Sequence, residues 1–138
     1  MRKAKKIFLV EDDEDDQQFF KEALKDIDDT ICLGLAVNGV DALVKLGSMS
    51  KLPDLIFMDI NMPLMNGLDC LKKLKSNVKF QHIPVVILTT SSTVYDCKLS
   101  FTLQASSCLS KPSDSLSLKK NITDMMKIYL LPVIASEI

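Results

Sequence analysis

The sequence has no apolar run long enough to cross a bilayer, no CxxC pair, a single histidine and no excess of one charge. Each shortage excludes a class of function. A membrane span takes about 20 apolar residues, and the stretch 7–10, which follows Arg2, Lys3, Lys5 and Lys6, has only four. Acids end that stretch at once, so it is not a secretory signal peptide either. Cys32, Cys70, Cys97 and Cys108 are scattered, and His82 is not beside any of them in sequence. A zinc site is therefore not expected; free thiols in a reducing cytoplasm are. The net charge of −1 offers no electrostatic footprint for nucleic acid or an anionic membrane. No internal repeat or low-complexity linker marks a second domain.

What is present fits one globular domain over residues 1–138: 47% of residues are hydrophobic and 25% charged. Five short apolar runs are each followed by a helical pattern. The runs are 7–10, 31–37, 55–58, 84–88 and 107–110. The first has no polar alternation, as expected of a strand buried on both faces. The second is interrupted by Gly34. The fourth holds three β-branched residues, Val85, Val86 and Ile87. Phe20, Ala23, Leu24 and Ile27 recur at helical spacing. So do Val40, Leu43, Val44 and Leu46, then Leu68, Leu71 and Leu74, and finally Leu118, Ile122, Met125 and Tyr129. Residues 95–103 are read as a helix of weak periodicity, and Pro132 is read as the stop of the last one. Alternating βα units predict a doubly wound α/β fold, a parallel sheet with helices on both faces. Ligands of such sheets bind at the carboxyl ends of the strands.

The residues at those ends carry chemistry. Glu11 and Asp12 follow the first strand, Asp59 ends the third, Thr89 and Thr90 follow the fourth, and Lys111-Pro112 follows the fifth. Three carboxylates brought together repel one another and raise one another's pKa values. A hard divalent cation relieves that repulsion, and oxygen-only ligation points to Mg²⁺, with Mn²⁺ the other candidate. A carboxylate beside such a cation and an ammonium can accept a phosphoryl group as an acyl phosphate. Asp59 is the expected nucleophile, and Thr89 a hydrogen-bond donor to a phosphoryl oxygen. Singly, each residue has a plainer reading. Asp13, Glu14, Asp15 and Asp16 suit the first turn of a helix, a threonine after a strand often caps the next helix, and Lys-Pro is a common turn. Their joint occurrence at four strand ends favours the site.

Five stretches in order resemble the receiver domain of two-component response regulators, of the stand-alone kind. They are Ile7-Phe8-Leu9-Val10-Glu11-Asp12-Asp13, Pro53-Asp54-Leu55-Ile56-Phe57-Met58-Asp59-Ile60-Asn61-Met62-Pro63, Asn66-Gly67, Val86-Ile87-Leu88-Thr89 and Lys111-Pro112. The spacing fits as well, with 30 residues from Asp59 to Thr89 and 22 from Thr89 to Lys111. The resemblance covers residues 6 to about 129. It implies a flavodoxin-like (βα)5 fold of strand order 2-1-3-4-5. It also implies phosphorylation of Asp59 by a sensor histidine kinase or histidine phosphotransfer protein. Asp12 would bind Mg²⁺ directly and Glu11 through water, with Asp59 and the backbone carbonyl of Asn61 completing the protein's ligands. Lys111 would pair with Asp59 and then with the phosphoryl group, Thr89 would move toward that group, and the Lys111–Pro112 peptide would be cis. Gly67 would permit a tight turn.

Three positions depart from the family pattern. Cys108 stands where Tyr or Phe is usual, and a thiol cannot fill the volume of the aromatic that rotates inward as the threonine moves. Thr90 stands where Ala or Gly usually follows the switch threonine. Gln104 replaces a common helix-ending glycine, so that helix is expected to end without a left-handed cap. All three lie on the side that many receivers use for output. Intact phosphorylation chemistry with an altered readout is expected, acting on a downstream protein and not through a conventional enzyme activity. Residues 130–138 form an apolar tail, read either as a contact to a partner or second copy or as a segment folded back on its own domain.

Three rivals compete. A dehalogenase-like phosphatase needs an acid two residues after the nucleophile, where Asn61 stands. A flavodoxin-like cofactor binder needs a phosphate-cradling loop where the acidic run lies. A degenerate receiver that binds partners without phosphorylation is disfavoured by the complete set of Glu11, Asp12, Asp59, Thr89 and Lys111.

Overall fold

A computed structural model describes residues 5–90 and 94–130. It contains β1 (Lys6–Val10), α1 (Glu14–Ile27), β2 (Cys32–Ala36), α2 (Gly39–Ser48), β3 (Leu55–Asp59), α3 (Gly67–Lys75), β4 (Val85–Thr89), α4 (Val94–Thr102), β5 (Ser107–Ser110) and α5 (Ser115–Tyr129). All strand pairs are parallel and the order is β2-β1-β3-β4-β5, as expected. The chain reverses direction across the sheet between β1 and β3, which places the switch point above the ends of those two strands.

Alternation along the strands divides the core into two layers. Phe8, Val10, Ile56, Met58, Val85 and Ile87 pack with Ala42, Leu46, Leu71 and Leu74 of α2 and α3. Ile7, Leu9, Leu55, Phe57, Val86 and Leu88 pack with Phe20 and Leu24 of α1 and Leu118 and Ile122 of α5. Phe20 meets Phe57 edge-on, with ring centroids 5.1 Å apart. Every residue of β3 and β4 is buried, which explains their unbroken apolar runs. Gly34 leaves β2 continuous. A side chain there would press on the Phe8 ring, so the glycine makes room for a core aromatic.

Local chemistry fixes where four of the helices begin. Asp13, Asn38, Asn66 and Asp114 each accept a hydrogen bond from the backbone N–H three residues on, satisfying a donor that the first helical turn leaves unpaired.

Three expectations are corrected. First, Cys97 of α4 and Cys108 of β5 are not free thiols but a disulfide, with Cα atoms 5.6 Å apart. The short return from α4 into β5 brings them together although 11 residues separate them. Cys32 and Cys70 are free. Second, Gln104 does provide a left-handed cap, with φ at 75°. Its N–H bonds to the Phe101 carbonyl and that of Ala105 to the Ser100 carbonyl, the paired bonds that close a helix without glycine. Third, no peptide bond among the described residues is cis, so Lys111–Pro112 is trans. The Lys111 N–H bonds to the Thr89 carbonyl at 2.9 Å, and the end of β5 aims the ammonium inward without a cis turn. Of the apolar tail, Leu130 is buried; residues 131–138, including Pro132, lie outside the described residues.

Candidate functional site

Glu11 continues the line of Ile7 and Leu9, Asp59 that of Leu55 and Phe57, and Lys111 that of Leu109. Strand alternation therefore sends all three toward the layer beneath α1 and α5. The structure brings Glu11, Asp12 and Asp59 together, with one oxygen of each within 4.8 Å of the others. Glu11 and Asp59 are buried and Asp12 is exposed at the mouth. Asp59 Oδ1 accepts from the Ile60 N–H at 2.8 Å, and Glu11 Oε2 from the Asp13 N–H at 3.1 Å.

Lys111 is the cation of the cluster. Its Nζ donates to Glu11 Oε1, to Asp16 Oδ2 at 3.0 Å and to Asp59 Oδ2 at 3.3 Å. Burial pushes the Glu11 carboxyl up to about 7, against hydrogen bonds from Lys111 and the Asp13 N–H that favour its charged form. Burial also raises Asp59, although the Lys111 charge opposes that shift. For Lys111 itself burial disfavours the charge. Its bonds to Glu11 and Asp16, with the nearby charge of Asp59, more than reverse that effect and hold the ammonium protonated. One ammonium thus faces three carboxylates while a fourth, Asp12, stands alongside, and the pocket is short of positive charge. Its donors are all oxygen, as Mg²⁺ or Mn²⁺ requires.

Asp16 was not foreseen. It reads as one more acid in the first turn of α1, yet that turn points it at Lys111. Helical spacing could have separated it from Glu14 and Asp15, because Asp16 lies four and seven residues before Phe20 and Ala23 on the buried face of α1. Asn61 lies exposed two residues beyond Asp59. Thr89 ends β4 and is fully buried, on the line of Val85 and Ile87 that faces α2 and α3. Thr90 is exposed. His82 is an exposed turn residue before β4. At Gly67 a Cβ would strike the backbone carbonyl of Asp59, and its N–H bonds to the Ile60 carbonyl at 2.8 Å. Gly67 has no positive φ, so close approach, and not an unusual turn, demands the glycine there.

The sequence profile described as the response regulator receiver domain matches residues 7–123. The chain belongs to that family. Response regulator Rcp1 of Synechocystis sp. is 32% identical over 129 residues, covering 90% of this chain and 83% of Rcp1. The receiver resembles the phosphorylated cyanobacterial phytochrome response regulator RcpA in structure, with a TM-score of 0.85 and 29% identity over 93% of this chain and 95% of RcpA. The Mn²⁺-bound form of Rcp1 gives a TM-score of 0.80 and 31% identity, over 91% and 94% of the two chains. A protein-glutamate methylesterase/protein-glutamine glutaminase of Clostridium acetobutylicum is 32% identical over 127 residues, but the receiver spans only 35% of that protein. Among the described residues no helix is long and apolar enough to cross a membrane.

Proposed function

We propose that residues 1–138 form a single receiver domain whose Asp59 accepts a phosphoryl group from a phosphohistidine on a sensor histidine kinase or a histidine phosphotransfer protein. The observation that carries this reading is the pocket itself: a buried Asp59 at a strand end, Glu11 and Asp12 within 4.8 Å, and the Lys111 ammonium 3.3 Å away. In the transfer an Asp59 carboxylate oxygen attacks phosphorus, the O–P bond forms as the P–N bond breaks, and the imidazole departs. Glu11, Asp12, Asp59 and the Asn61 carbonyl would hold Mg²⁺, or Mn²⁺ as in Rcp1. When bound, the metal supplies positive charge to the phosphoryl oxygens. Lys111 would leave its carboxylate partners for a phosphoryl oxygen, and Thr89 would donate its hydroxyl to another.

The readout is proposed to be a protein-binding surface around α4, β5 and α5, acting in the cytoplasm on a downstream protein or a second copy of the chain. Tyr95 and Phe101 of α4 and Leu116 of α5 are exposed and offer apolar contacts there. Intact mass after incubation with Mg²⁺ and a small phosphodonor tests the reading. One added phosphoryl group in the wild type and none in Asp59→Asn is expected. No gain in the wild type, or equal gain in both, contradicts it.

A further inference from the structure

We propose that Cys97 and Cys108 are a reversible redox modification site, closed by a small disulfide such as oxidised glutathione, and that closure restrains α4 against the change brought by phosphorylation. The restraint of that change rests on the reading of Asp59 above. The modification site stands without it.

Geometry supplies the first support. A Cα separation of 5.6 Å lies inside the range that a disulfide spans without backbone movement. Both residues are half-buried, so a small oxidant or reductant can reach them. The other two thiols differ: Cys32 is exposed at the start of β2, and Cys70 is buried, its thiol pushed up to about 12 by burial. Neither has a cysteine partner.

The second support is what the bond fastens. No hydrophobic side chain of α4 described in the structure is fully buried; Ser100 alone is. By contrast α1 buries Phe20, Ala23 and Leu24, and α5 buries Leu118, Ile122 and Met125. Helices are held on a domain mainly by such apolar contacts. On α4 a covalent bond to β5 takes over part of that role.

The third support is where the bond lies. Cys108 pairs in register with Ile87 and sits three residues before Lys111. Lys111 is bonded through its N–H to the Thr89 carbonyl. Cys97 sits in the first turns of α4, which begins five residues after Thr89. The bridge therefore spans the two segments that run into and out of the Thr89–Lys111 contact. Any shift of Thr89 that carries α4 with it must work against the bridge when it is closed.

One cysteine thiolate attacks a sulfur of oxidised glutathione and releases one glutathione thiolate, leaving a mixed disulfide. The second cysteine thiolate attacks the protein sulfur of that bond and releases the other. Two protein thiols lose two electrons, which reduce one glutathione disulfide to two thiols, and the two protons pass to those thiols. A dithiol reverses the sequence.

The test uses the full chain with Cys32→Ser, which removes the exposed thiol. Reduced and glutathione-oxidised samples are denatured, alkylated and weighed. Three alkyl groups on the reduced form and one on the oxidised form are expected, with a peptide link between Cys97 and Cys108. Three in both forms, or stable glutathione adducts without that link, overturns the site.

Hydrogen exchange of the α4 amides is then followed in both forms, with and without Mg²⁺ and phosphodonor. Closure should slow α4 opening about tenfold or more without the donor, and phosphorylation should alter α4 exchange in the reduced form far more than in the oxidised one. Equal α4 exchange in the two forms, or an equal response to phosphorylation, overturns the restraint. Phosphoryl uptake is weighed on the same samples. Failure of Asp59 to take up phosphate thus shows separately from failure of the cysteine pair, which the donor-free exchange still decides. The comparison needs no cysteine mutation within α4 or β5.

Discussion

Glu11, Asp59 and Lys111 lie on the sheet face covered by α1 and α5, whereas Thr89 and Cys108 lie on the face of α2, α3 and α4. The first group is held by charge: a half-buried ammonium at the end of the edge strand β5, bonded to three carboxylates, two of them buried at the ends of β1 and β3. In the second, Thr89 is fully buried at the end of β4, and Cys108 is tied by one covalent bond to α4, a helix with little apolar anchorage. The proposed nucleophile and metal ligands would need fixed positions for phosphoryl transfer, which gains most from preorganised charge. A readout element needs a second arrangement within reach, and a lightly packed helix is the kind of element that moves. At the strand ends the Lys111 N–H bonds to the Thr89 carbonyl and joins the backbones that carry the two groups. Chemistry and readout should therefore separate under mutation, except where a residue touches both.

The largest expected effect comes from removing the charge of the first face. Lys111→Ala leaves Glu11 and Asp59 buried without their cation, and should lower stability by about 3 kcal/mol in metal-free urea denaturation. Mg²⁺ should restore more stability to this variant than it adds to the wild type, because it refills the missing charge. A loss below about 1 kcal/mol would mean that the carboxylates are not held by Lys111.

A smaller effect should cross between the faces. Gly67 starts α3 on the second face, yet its missing Cβ makes room for the Asp59 backbone carbonyl. Gly67→Ala should cost about 2 kcal/mol by urea denaturation and slow phosphoryl uptake as well, since the backbone that carries Asp59 must shift. Lost stability with unchanged uptake would show that the acceptor tolerates movement of its own strand end.

The smallest effect should stay on the second face. Gln104 holds a left-handed conformation that glycine adopts without steric cost, so Gln104→Gly should gain up to about 1 kcal/mol in thermal or urea unfolding. Phosphoryl uptake should not change. A loss of stability would mean that the Gln104 side chain makes contacts that outweigh its backbone strain.

Residues that act through strand position were legible in the sequence. Glu11, Asp12 and Asp59 follow apolar runs that can only be buried strands, so their convergence at one sheet edge follows from the βα alternation. What depends on how a helix meets the sheet was not legible. For Asp16 the spacing to Phe20 and Ala23 gives the inward face, but not Lys111 as the partner it meets there. Cys97 and Cys108 are 11 residues apart, a spacing that says nothing until α4 lies against β5. Gln104 was misread because glycine is the common left-handed cap, while here the paired backbone bonds that end α4 compensate for the wrong side chain. The trans Lys111–Pro112 bond also differs from expectation: strand alternation at the end of β5 already sends the ammonium to Glu11 and Asp59.

Locating the phosphoryl group on the chain decides whether Asp59 is the acceptor. The protein is phosphorylated with Mg²⁺ and a small phosphodonor, treated with borohydride, which reduces an acyl phosphate to an alcohol, and digested for fragment mass analysis. Homoserine at position 59, absent when Mg²⁺ is chelated, is the predicted result. An unaltered Asp59 together with label at Asp12, at Glu11 or on a hydroxyl side chain would contradict the assignment of Asp59 as acceptor.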